Sequence, residues 1–410
     1  MKPHPLLIAN ANANAKINTK VTNTAMPRPT AGLRRRLVMA GLLGPWLARA
    51  GNSTPKNPPA ALANMATPVH LPADAGTHLD HRIEWWYLTG WASDASGAPR
   101  FGYQLTFFRR RLDATQDLRS PLAARHLLFA DVAITDVRQQ RLQHLQRMAR
   151  WSGQPPGQNA ADQASAAIGQ TAVQIGDWSL VADGSVDGNR ASLRARAFDP
   201  SVTLDLRCTP QQAPLLQGLQ GVSRKGPEAA QFSHYYSLPQ LQVEGRLALN
   251  NESFTLGPGS KAWLDHEWSD TLLHADATGW DWIGINLRDG GALTAFRLRD
   301  ANGQPIWAGG SFRKGGKLEV FAPSAVHFEA LREWHSPLSA ARYPLAWRVQ
   351  TPAGSFQIEA LVENQEIDSR ATTGAIYWEG LVRAHGAGAG AGAEGYGYLE
   401  MTGYAAALQT

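Results

Sequence analysis

The stretch KAWLDHEWSD, residues 261–270, sets a histidine among carboxylates and tryptophans. Read as a strand, it alternates: Trp263, Asp265 and Glu267 share one face, and Leu264, His266 and Trp268 the other. An imidazole beside an indole on a half-buried face suits proton transfer, because desolvation and a nearby carboxylate move its pKa toward a working range. Asp265 or Glu267 would hold the His266 ring from a bend or a neighbouring strand. The structural alternative is a strand-end turn with solvated charges around a core tryptophan. A zinc-protease signature is excluded, since Asp270 stands where H-E-x-x-H needs its second histidine.

Three further stretches carry candidate chemistry. In GWDWIGINL (279–287), Trp280, Trp282, Gly284 and Asn286 alternate with Asp281, Ile283 and Ile285. A lone aspartate among isoleucines is costly if it is ionised and unpaired. Asp281 therefore either pairs, with Arg297 or His266, or stays protonated as an acid. SHYYSLPQL (233–241) offers His234, Tyr235 and Tyr236 as hydrogen-bonding groups at a cavity mouth. EWWYLTGW (84–91) divides into Glu84, Trp86, Leu88 and Gly90 against Trp85, Tyr87, Thr89 and Trp91, so both faces are apolar and both are expected to be covered. There is no G-x-S-x-G elbow, and the S-x-x-K at Ser311–Lys314 lacks its partner motifs. No histidine spacing suggests a metal, so no metal and no cofactor is expected.

The elements that must position these residues are strands. RFGYQLTFFRRR (100–111), HLLFADVAITDV (126–137), ASLRARAF (191–198), VTLDLRC (202–208), PQLQVEGRLAL (239–249) and ALTAFRLRD (292–300) are short apolar or alternating runs bounded by turn residues. Residues 346–362 read as a hairpin turning at Ala353-Gly354. IYWEGLV (376–382) and GYLEMTGY (397–404) form another hairpin, across a Gly/Ala-rich loop whose formal G-x-G-x-x-G has no helix behind it. Helical periodicity is confined to 157–167 and 324–334. So many short strands indicate sandwich or barrel architecture, and the length suits two units.

Bulk composition bounds the partners. The 410 residues are 43% hydrophobic and 18% charged, ample for a core. Residues 1–50 hold eight Lys or Arg and no Asp or Glu, so taking eight from the net +5 leaves about −3 for the rest. The body is mildly acidic, which argues against nucleic acid as a partner. RRRLVMAGLLGPWLARAG (34–51) combines a basic run, an apolar stretch from Leu37 to Leu47 and a small-residue site at Ala48-Arg49-Ala50. That is the pattern of an export signal, and its adjacent arginines resemble the twin-arginine type. A start at Met26 would give it ordinary length. The apolar run is too short to span a bilayer. Cys208 is the only cysteine, so no internal disulfide can form. A secreted or periplasmic location is expected.

HLDHRIEWWYLTGW, FGYQLTFFR, RHLLFADVAITDV, GVSRKG, HYYSLPQLQVEGRL, AWLDHEWS, GWDWIGINL, ALTAFRLRD, IYWEGLV and YLEMTGY occur in this order. In that ordered run the chain resembles the AttH/CrtC-like, lipocalin-related family over residues 70–406, closest to its secreted branch of predicted hydrolases. The resemblance implies an all-β fold of two lipocalin-like antiparallel β-barrels in tandem. The expected divisions are an N-terminal extension and export signal over 1–50, a linker over 51–72, and domains over 73–268 and 269–410. It implies an elongated apolar ligand, isoprenoid or lipid, that is bound and hydrated or hydrolysed. On the hydratase pattern a buried acid protonates an isolated double bond, aromatic faces steady the cation, and a His or carboxylate orients water. The matching positions are His266 and Trp268 with Asp265 beside them, and Asp281 is expected as the acid. Glu84, Trp86, Tyr87, Tyr103, Tyr236, Trp280 and Trp282 are expected to line the ligand. The rival expectation is a carrier without turnover. A catalyst would hold His266 and Asp281 on one cavity, whereas a carrier would leave them as barrel-to-barrel ties paired to arginines.

Overall fold

The computed structural model describes residues 67–184, 191–271, 273–387 and 392–408. The expected export signal lies outside them. Two antiparallel sheets account for nearly all of the regular structure. The first runs edge to edge through Arg141–Trp151, His126–Asp136, Pro99–Arg111, Ile83–Ser93, Lys261–Ser269, Phe232–Leu249, Val202–Thr209, Ser192–Phe198, Trp178–Asp183, Ala172–Ile175 and Ala164–Ala166, with three short strands pairing Phe232–Leu249 off this path. It curls until its ends approach. Arg147 from one end lies 4.3 Å over the Trp178 ring near the other, and its Nη1 reaches the Ile175 carbonyl at 3.5 Å. A cleft of about 710 Å³, lined by Arg147, Met148, Ala164 and Gln174 among others, marks the gap.

The second sheet runs through Lys317–Phe321, Pro305–Lys314, Ala292–Arg299, Gly279–Leu287, Glu394–Met401, Ala375–Ala387, Gly354–Ala360, Arg342–Thr351 and His327–His335, and Glu366–Ser369 pairs the sixth of these. Its two edge strands are consecutive in sequence, joined at the 3-10 turn Pro323–Ala325, and so the sheet closes on itself. The expected strands and both C-terminal hairpins are present; the second hairpin pairs Trp378–His385 with Glu394–Met401. The expected helices are not. Residues 157–167 are turns leading into the Ala164–Ala166 strand, and 327–335 is a strand, because each has an edge on which to pair. The chain is also already packed at Val69, which is buried and whose N–H donates to the Gln220 carbonyl at 2.9 Å, within the stretch expected as linker.

Three apolar clusters define the interior. One fills the first sheet with Trp86, Leu88, Leu264 and Trp268, and one fills the second with Ile283, Ile285, Trp347 and Leu399. A third joins Tyr87, Trp91, Trp263, Trp282, Phe296, Leu381 and Tyr398, and is the seam between the two sheets. The alternation of EWWYLTGW is thereby resolved: its even-numbered side chains enter the first barrel and its odd-numbered ones enter the seam. Polar ties cross the seam as well. Gln240 donates to the Leu287 and Gly291 carbonyls at 2.9 and 2.7 Å, and Asn286 donates to the Ala262 carbonyl at 3.0 Å. Gln240 can do so because it takes a left-handed φ of 56° after Pro239, at a bulge in the pairing of the long strand with Lys261–Ser269.

Gly102 lets the sheets meet closely. A Cβ there would sit 2.9 Å from both Leu381 Cβ and the Tyr398 hydroxyl, across the seam. Gly102→Val is expected to cost about 1–3 kcal/mol through overpacking, read as a lower urea midpoint with an unchanged m-value.

Candidate functional site

Two groups of ionisable residues lie on opposite faces of the same strand pair. Register sets Glu84 beside Trp268 and Arg109, Trp86 beside His266, and His266 beside Tyr236. Glu84 is fully buried in the first barrel. Its Oε2 accepts from Thr77 Oγ1 at 2.7 Å and Arg109 Nε at 2.8 Å; its Oε1 meets His78 Nδ1 at 2.8 Å and His266 Nε2 at 3.0 Å. His266 Nδ1 lies 3.2 Å from the Tyr236 hydroxyl. The Trp86 ring stacks on His266 at 4.9 Å, and Trp268 is sandwiched between His78 at 3.7 Å and His234 at 5.3 Å. Arg109 also donates to the carbonyls of His78 and His81, tying the segment before Ile83 across the barrel end.

Burial opposes ionisation of Glu84, but the hydrogen bonds from His266 and His78 and the Arg109 charge outweigh it and hold the carboxyl well below its usual range. Burial lowers the pKa of His266. His78 is raised instead: burial works against this, and its contacts with Asp74 and Glu84 prevail. Among the described residues, the trio His78, Glu84 and His266 is the group whose nitrogen and oxygen donors lie close enough to share one cation.

The other face of the strand pair enters the seam. Asp265 accepts from Trp263 Nε1 at 2.7 Å and Ser237 Oγ at 2.5 Å, and burial raises its pKa to about 7. Glu267 pairs with Lys225 Nζ at 2.9 Å, and Lys225 lies 4.3 Å over the Phe296 ring of the second sheet. Opposite stand Glu379 and Glu400, cross-strand partners on the second sheet. Burial, then the neighbouring Glu400 charge, push Glu379 well above its usual range; burial raises Glu400 to about 7. Tyr87 and Gln104 lie beside Glu379 as its hydrogen-bonding neighbours, and the polar atoms of all three are buried. Tyr87 meets Trp282 edge-on at 5.5 Å, and Trp282 Nε1 donates to the Tyr235 hydroxyl at 3.2 Å.

The expected site residues thus fall into separate places. Glu84, Trp86, Tyr236, His266 and Trp268 come together in the first barrel; Tyr87, Asp265, Trp280 and Trp282 belong to the seam, where Trp280 donates to Glu400. Neither Asp265 nor Glu267 holds the His266 ring. They point to the opposite face, as strand alternation requires, and Glu84 holds it instead. Tyr103 is apart from both groups, its hydroxyl against the Lys261 carbonyl at 3.3 Å. Asp281 does not share a cavity with His266. It is buried in the second barrel, accepting from Arg297 Nε at 2.7 Å, Arg299 Nε at 2.9 Å and the Tyr404 hydroxyl at 2.9 Å. Asp281 is thus paired with Arg297, one of the two partners its sequence setting offers, and with Arg299. Glu379 and Gln104 were absent from the expected site. The signal that would have found Glu379 is the one applied to Asp281, a lone carboxylate on the apolar Tyr377–Glu379–Leu381 face.

A tandem pair of curled antiparallel sheets joined along an aromatic seam is the architecture to which known proteins can be compared. The AttH-like family profile matches residues 62–404, and the chain belongs to that family. A solved AttH protein of Nitrosomonas europaea is 40% identical, with a TM-score of 0.72 over 83% of this chain and 98% of its own. Kievitone hydratase of Nectria haematococca shares the fold at 16% identity, with a TM-score of 0.61 over 84% of this chain and 95% of its own. Dehydratase asqC of Emericella nidulans is 26% identical over 196 residues, 45% of this chain and 53% of that protein, so the match spans about half the length of that curated relative.

The raised acids of the seam favour the folded state only while protonated. Asp265, with an ordinary value of 3.8 and a folded value of about 7, contributes fully below pH 4, and the contribution is lost as pH rises through about 7. Asp265→Asn is therefore expected to gain stability on the wild type between about pH 4 and 7, with the difference level above, as read by urea melts across that range.

Proposed function

We propose that the seam is an acid–base centre that adds water to, or removes it from, an apolar unsaturated molecule of the isoprenoid or lipid kind. The observation that carries this reading is Glu379, a buried carboxyl kept protonated by its surroundings, with the Tyr87 hydroxyl and the Gln104 amide as its neighbours. A bound substrate and its water would meet the same groups. Glu379 would give its proton to one carbon of the double bond. The faces of Tyr87, Trp263 and Trp282 would steady the cation at the other carbon. Water would then add there and lose a proton to Asp265 or Glu400, whose values near 7 suit a base at neutral pH. Elimination is the same path reversed. The hydratase and the dehydratase among the chain's relatives support water chemistry in one direction or the other.

A second reading is a carrier. It draws on Asp281 and His266, which are engaged by Arg297, Arg299 and Glu84 as fixed ties. Incubation with acyclic isoprenoid alkenes and with lipid esters in ¹⁸O-water, followed by mass spectrometry, separates the readings. A product heavier by one labelled water, with turnover reduced about 10²-fold or more in Glu379→Gln, is the expected result. Acid-plus-alcohol products would turn the reading to hydrolysis. Ligand bound and recovered unchanged would establish the carrier, and an unimpaired Glu379→Gln would remove Glu379 as proton donor. Export through the leader at 34–51 belongs to the same proposal. Cell fractionation of the full-length chain is expected to recover it, shortened at its N-terminus, outside the cytoplasm; recovery of the intact chain in the cytoplasm would overturn that part. Among the described residues no helix is long and apolar enough to cross a membrane.

A further inference from the structure

We infer that His78, Glu84 and His266 form a binding site for a divalent first-row transition cation, zinc foremost. Two imidazoles and a carboxylate are a donor set such ions favour, and three protein ligands leave a coordination position for a further group. The donor atoms all lie within 4.8 Å of one another, with Glu84 Oε1 at 2.8 Å from His78 Nδ1 and 3.0 Å from His266 Nε2. A cation with bonds of about 2.0–2.2 Å fits between them once the two histidines close toward each other. Glu84 and His266 sit on rigid central strands. His78 lies on the irregular segment before Ile83, outside the strands.

The surroundings of the trio are already those of a metal centre. Each ligand's remaining polar atom is held from behind, which fixes ring orientation and basicity. His78 Nε2 faces Asp74 Oδ1 at 3.7 Å, and His266 Nδ1 meets the Tyr236 hydroxyl at 3.2 Å. Glu84 Oε2 accepts from Thr77 and Arg109, the His78 N–H reaches both carboxylate oxygens at 3.1 Å, and Oε1 faces the two imidazoles. Trp86 and Trp268 wall the site with apolar surface, while the partly exposed edge of His78 gives an ion a way in. Asp74 and Glu84 together offset the charge of Arg109 and part of the charge of the ion.

This site is independent of the seam, so its failure leaves the Glu379 test untouched. The full-length protein, stripped with chelator, is titrated with zinc in competition with a chromophoric chelator, and separately with cobalt(II) for its visible absorption. One ion per chain is expected, with affinity reduced at least 10-fold to 100-fold in His78→Ala and in His266→Ala, and unchanged in the control His385→Ala. His78→Ala, at the edge of the site, serves if His266→Ala does not fold. No stoichiometric binding by the folded wild type, or binding unchanged in His78→Ala, would overturn the inference.

Discussion

The architecture depends on one constraint: the Ile83–Ser93 and Lys261–Ser269 strands have no dry face and wet face, because both of their faces are buried. Barrel core lies against one and the seam against the other. Every polar side chain on these strands must therefore find a partner inside the protein or be kept neutral. Alternation then distributes the consequences. Glu84 and His266 fall on the barrel side and Asp265 and Glu267 on the seam side, so adjacent residues in DHEW belong to unconnected networks.

The buried carboxylates divide by what compensates them. Glu84 has Arg109 and two histidines; Asp281 has two arginines and a tyrosine. Such groups act as ties between strands. In the seam, Glu379 feels the charge of Glu400, and Glu400 and Asp265 feel that of Glu267, while the nearby Lys225 is already paired to Glu267. There, burial wins: Glu379 holds its proton, and Asp265 and Glu400 are raised to about 7. The physical difference between a structural carboxylate and one suited to proton transfer is here a matter of where the cations are.

Much of the fold was legible in the sequence, because strand alternation and turn residues are local signals. The bounds of 279–287 and the hairpin at Ala353-Gly354 needed nothing beyond them. The short edge segments at 157–167 and 324–334 misled, since few residues of either period fit there and pairing with an available edge decided the outcome. The sites were less legible. Sequence proximity suggested that Asp265 or Glu267 would serve His266, but neighbouring residues on a strand point apart. His266's partner, Glu84, is 182 residues away. Glu379 and Gln104 meet only through the docking of two sheets, which no local pattern encodes.

The strand that begins this architecture and the one that completes it are made far apart in time. Ile83–Ser93 pairs on one side with Pro99–Arg111 at once, but its other edge waits for Lys261–Ser269. During synthesis that edge, flanked by Trp85, Trp86 and Trp91, stays open while some 170 residues follow it out of the ribosome. Non-local pairing of this kind folds slowly, and an open apolar edge invites pairing with another chain. The same strand that joins two cores in the finished molecule thus carries an open apolar edge while the chain is incomplete.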